Sequence, residues 1–257
     1  VSEGEKQIAS YIQHRARLVN TSDFETITRR TPGVDIGRVE VIPAFSPELA
    51  PNEPGDAPGA VTIMVIPSTD PNQPAAPVPD KLFLDAICAY LNPRRLVTTE
   101  VFLRGPVYKQ IWISVGINVV EGVGIAQVRE AVRSTLLQFL APLADKSSQS
   151  TEAQQGWPLR KAVNDRELAA VATRVSGVLS VNGLLLAEGS LPATAQINMR
   201  GLELPRVMGI SVTVGDPLSL DALRGQLSLS PGGTGGDDTD GGGALPLLPV
   251  PVIPEEC

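Results

Sequence analysis

Few side chains in this sequence are placed to do covalent or metal chemistry. His14 is the one histidine, so any Ser-His or Cys-His arrangement would have to run through it. Set in the run HRAR, it reads better as an exposed or interface residue. Cys88 falls in a predicted amphipathic helix and Cys257 ends a loose tail, so they make neither a disulfide framework nor a zinc cluster. That usage fits a reducing compartment. Gly116, Gly122 and Gly124 lie where a long strand gives way to a helix, around VEGVGIA. The run lacks G-x-G-x-x-G spacing and a Walker lysine, so a tight strand-to-helix turn explains it without a nucleotide. The stretch GGTGGDDTD is similar to calcium-binding glycine-aspartate repeats, but those share ions between tandem copies and this is less than one copy. The carboxylates are scattered over polar faces. The sequence therefore predicts no catalytic, cofactor or metal site.

What remains is the stretch GWPLRKAVNDRE, residues 156–167. Gly156, Trp157 and Pro158 read as a structural corner that turns the chain, and Asp165 as the start of the next helix. Trp157 is expected to be buried near Phe139 or Leu143. Arg160 and Lys161 within the corner, with Arg15, Arg17, Arg94 and Arg95 elsewhere, are the candidate interface residues. Arginine is enriched at protein–protein contacts, although positive charge after the helix ending near Leu91 also suits a helix C-terminus.

The elements that must position these residues follow from periodicity and punctuation. Ser22 and Glu25 fit a capping box for a short helix that Pro32-Gly33 stops. Residues 36–42, 61–66, 98–103, 111–119 and 178–186 alternate or run apolar as strands. Helices are expected over 80–91, 125–143 and 165–175. Residues 43–59 hold five prolines and form a loop, as do 67–79. QINM, LELP and GISVTV read as short strands, and PGGTGGDDTDGGG as a flexible linker.

A repeat is visible. Phe24, Ile27, Arg30, Gly33 and Val34 align without gaps on Leu168, Val171, Arg174, Gly177 and Val178. The expected fold is α+β: two small α/β sandwich modules of ferredoxin-like βαβ units, a short β-rich segment and a disordered Gly/Pro tail. The boundaries fall at 1–106, 107–189, 190–230 and 231–257.

The chain has 257 residues, 42% hydrophobic, 19% charged and only 4% aromatic, which predicts an aliphatic core. Its net charge of −7 argues against nucleic acid, which is bound through a basic face. No apolar run approaches the roughly 20 residues that cross a bilayer. The start VSEGEKQIAS, with neither Met nor a signal-like segment, reads as internal.

Three blocks in succession resemble the baseplate J-like family, the baseplate wedge proteins of contractile-tailed phages and contractile injection systems. They are HRARLVNTSDFE with TPGV, then PDKLFLDAICAYLNPRRLVTTEVFLRGPVYKQIWISVGINV, then QFLAPL followed by GWPLRKAVNDRELAAVATRVSGV. Together they cover residues 14–187. Two departures stand out: SSQSTEAQQ replaces a glycine-rich run before GWP, and Arg160 replaces a glycine after GWPL. The resemblance implies a scaffold that is no enzyme. It would pair with a second copy or paralogue and close a sixfold ring around the spike, beside hub and sheath-initiator-like subunits. Assembly would be cytoplasmic, as part of a phage tail-like particle or virion. Two other readings stay open: an adaptor using its proline-rich tail, and the C-terminal part of an enzyme whose site lies upstream.

Overall fold

The computed structural model describes residues 17–49, 55–144, 156–228 and 257. The fold is α+β, built on two three-stranded sheets and one two-stranded ribbon. The first sheet has the order β1 (Ile36–Pro43), β2 (Ala60–Pro67), β3 (Glu100–Arg104). β1 and β2 are antiparallel, and β2 and β3 are parallel, joined through helix α2 (Lys81–Leu91). Helix α1 (Thr21–Arg29) precedes β1.

β2 is buried along almost its whole length, which its run AVTIMVI, apolar but for Thr62, anticipates. Ile63 and Val65 join Phe24, Ile27, Leu84, Ile87 and Leu91 in one core. Met64 and Ile66 point the other way, into a larger core with Ile111, Ile113, Val115 and Ile117. Successive side chains of a strand point to opposite faces, so this sheet serves both cores.

The second sheet has the order β6 (Val178–Glu188), β4 (Val107–Val119), β8 (Glu203–Val214). β6 is antiparallel to β4, and β8 is parallel to it. Helices α3 (Ile125–Phe139) and α4 (Asp165–Thr173) contribute Val128, Val132, Leu136 and Leu168 to its main core. On the other face, α5 (Leu220–Ser228) sends Leu220 and Leu223 against Ala187 and Trp112. The expected short strands LELP and GISVTV are one continuous β8, whose edge position tolerates Pro205. QINM reduces to β7 (Gln196–Ile197), paired with β5 (Val163–Asn164).

Four expectations need correction. The cap of α1 is Asn20, whose side chain accepts from the Asp23 N–H while Asp23 reaches back to the Asn20 N–H. Ser22 instead donates its hydroxyl to Asn20. The helix expected over 125–143 ends at Phe139, because Pro142 lacks an N–H and the Ala141 carbonyl turns to a new partner. Gly116 lies inside β4 and outside the turn. A Cβ there would meet the Gly215 carbonyl oxygen at 2.4 Å, so its role is close backbone approach. Finally, Cys88 and Cys257 form a disulfide, with Cys257 buried in the core under α1 and α2. Sequence separation of 169 residues hid that proximity. The rest of the expected tail, the loop 145–155 and His14 lie outside the described residues.

Candidate functional site

The corner is assembled from both ends of a loop. Trp157 is 1% exposed and donates its backbone N–H to the Ala141 carbonyl at 2.8 Å. Its ring meets Phe139 edge-on, with centroids 5.4 Å apart, a favoured geometry for aromatic pairs. Its indole N–H donates to the Lys161 carbonyl at 3.1 Å, so the one polar atom of the ring is satisfied. Gly156 adopts φ +71°, and a Cβ there would sit 2.7 Å from the Pro142 carbonyl oxygen. Glycine is required here on both counts.

Lys161 folds back over this pair. Its ammonium lies 4.5 Å from the Trp157 ring centroid and 5.3 Å from that of Phe139. It also pairs with Glu167 on α4. Cation–π attraction and the carboxylate together hold it within the molecule. Arg160, by contrast, is exposed and adopts φ 60°, the left-handed region. Pro158 is exposed at the turn. Asp165 donates its backbone N–H to Ala195, while Asn164 caps α4 by accepting from Arg166.

The corner is riveted to the first sheet by a residue that sequence reasoning did not single out. Arg38 on β1 is buried and donates from one guanidinium nitrogen to the Pro142 carbonyl at 2.8 Å and the Trp157 carbonyl at 2.7 Å. Its other face pairs with Glu40 at 2.9 and 3.0 Å. A buried guanidinium needs this degree of satisfaction, because desolvating an unpaired charge is costly. The visible signal was Arg38 and Glu40 two residues apart on one strand face. Nothing in the sequence could name carbonyls 104 and 119 residues away. A second such link is Tyr108 on β4, which donates its hydroxyl to the Pro77 carbonyl at 2.9 Å. Burial pushes the Tyr108 pKa well above its ordinary value, so it stays a neutral donor.

The other candidate interface residues are dispersed. Arg17 is exposed and Arg15 lies outside the described residues. Arg94 stacks on Tyr90, 3.9 Å from the ring centroid, and donates to the Tyr90 carbonyl. Arg95 donates to Asn92 at 2.8 Å and to the Thr99 carbonyl at 2.9 Å. Only Arg160 and Lys161 belong to the corner. Among the described residues, no group of three or more His, Cys, Asp or Glu side chains could hold a metal, and no helix is long and apolar enough to cross a membrane.

The sequence matches no protein-family model. No curated protein matches it either. Among solved structures, the fold is similar to a chain of the anti-feeding prophage baseplate, determined by cryo-electron microscopy with sixfold symmetry imposed. The TM-score is 0.53 at 17% identity, over 79% of this chain. This chain spans 40% of that neighbour's length. The two share a fold.

Proposed function

We propose that this chain is a structural subunit of the baseplate of a contractile injection system or related phage tail-like particle, and that its work is assembly. The observation that carries the reading is the fold shared with the anti-feeding prophage baseplate chain over 79% of this sequence. The corner favours the same reading. Its buried tryptophan, obligatory glycine and internally paired Lys161 suit a packed structural joint.

The finer form of the proposal is a wedge subunit that closes a sixfold ring around the spike and supports the sheath. In this form residues 1–106 make one module and residues 107–189 the other, its sheet completed by β8. Its partners would be a second copy or paralogue, hub and spike proteins, and a sheath-initiator-like subunit. Ring closure requires two different surfaces on each protomer. The decisive experiment is to purify the native particle from cells carrying a tagged copy of the chain and image it. The expected result is six copies around the tail axis at the baseplate. A complete baseplate with no density for the chain would sink the proposal.

A further inference from the structure

The two ends of the first sheet present side chains of opposite charge that form no ion pair among the described residues. At one end, the chain leaves α2 through a short 3-10 turn, Asn92–Arg94, and returns to β3 beside the start of β2. This turn presents Arg94 and Arg95, then Leu96 at 36% exposure and Val97 at 100%. Tyr90, Asn92 and the Thr99 carbonyl hold both guanidinium groups in place. Neither has a carboxylate within ion-pair range among the described residues. A pre-ordered arginine beside exposed aliphatic side chains loses little entropy on docking.

At the other end, β2 finishes at Pro67 and α2 begins after Asp80. A groove of about 620 Å³ opens there, with Val34, Leu82 and Phe83 among its apolar walls and Asp35, Asp70 and Asp80 as its charged members. Its lining includes no lysine or arginine. The three carboxylates accept hydrogen bonds from Ser68 and from nearby backbone N–H groups, but none pairs with a cation among the described residues. Leu82 stands at the mouth, 79% exposed. The eight residues of β2 separate the two ends by roughly 25 Å, so one copy cannot close the turn onto its own groove.

We propose that the Arg94–Val97 turn of one copy docks head-to-tail into the acidic groove between β2 and α2 of a second copy. Charge sign, the apolar complement and placement at opposite ends of one rigid sheet all favour a second copy as the occupant. Such a contact joins different patches and propagates, closing a ring or extending a chain according to its angle. The inference deepens the assembly reading, on which it rests only for its biological setting. A native particle that contains the chain without this contact overturns the contact and leaves that reading standing.

The test is sedimentation of the full chain over a concentration series, with Val97→Asp and Leu82→Asp as single variants. Both positions are exposed, and unchanged circular dichroism confirms that folding is intact. The wild type should associate beyond a dimer as concentration rises, and less so as salt rises. Each variant alone should associate about tenfold more weakly or worse. Mixed in equal amounts, the variants should pair and stop at dimers, since the intact turn of one meets the intact groove of the other. A wild type that stays monomeric, a variant that associates like the wild type, or a mixture that fails to pair would each overturn the proposal.

Discussion

The two three-stranded sheets share one plan and reach it by different routes. Each has a central strand with one antiparallel and one parallel neighbour. Each antiparallel strand follows a nine-residue helix capped by an asparagine, Asn20 or Asn164. Both helices are C-capped by an arginine, Arg30 or Arg174, with a positive-φ glycine three residues on, Gly33 or Gly177. The sources of the central strands differ. In the first sheet, β2 comes directly after the antiparallel strand; in the second, β4 comes before α3 and α4. The second route is longer and must bring the chain back from α3 to α4. Trp157 and its neighbours make that return, and the first sheet has no equivalent. Repetition of a local unit does not require repetition of the connections.

Five substitutions can break or sharpen this comparison. Trp157→Ala should have the largest effect, about 3–5 kcal/mol by chemical denaturation, because a fully buried ring is lost. Hydrogen exchange should show the loss concentrated in α3 and β4. Equal loss in β1 and β2 would show that the two sheets unfold as one unit. Arg38→Ala should cost about 2–3 kcal/mol, since two carbonyls lose a charged donor in a buried setting. If the sheets are coupled mainly through this residue, thermal unfolding should split into two transitions.

The paired caps should differ modestly. Asn20→Ala removes a reciprocal box and should cost about 1 kcal/mol, against about 0.5 kcal/mol for Asn164→Ala, whose cap is one-sided. Identical costs would erase the distinction. Smallest is Arg160→Gly, which relieves a left-handed residue but frees the unfolded chain. Melting should show a gain below about 1 kcal/mol.

Local signals made much of this legible. The alternation of Ile111, Ile113, Val115 and Ile117 marked β4 and its core face, and the spacing of Leu84, Ile87 and Leu91 marked α2. The contact of Trp157 with Phe139 was also expected, since both flank a loop between a helix and a turn. The repeat placed both helices, although the cap of α1 came two residues early because Asn20 and Asp23 outcompete Ser22 and Glu25. Contacts between distant segments were not legible. Arg38 reaches carbonyls, which carry no residue identity. The bond between Cys88 and Cys257, and the approach of Gly215 to Gly116, depend on tertiary folding alone. A resemblance did point at Arg160, where a glycine was expected; its positive φ gives that glycine a physical reason.

The hydrogen bond from Trp157 to Ala141, with Arg38 gripping Pro142 and Trp157 together, closes the mouth of the connection between residues 142 and 157. Its two ends are pinned regardless of what lies between them. Closure entropy grows only slowly with length, so chain added there strains neither sheet. The connection is thus a natural graft point, where a lineage or an engineer can splice in a peptide or a small folded cargo while the scaffold keeps its shape.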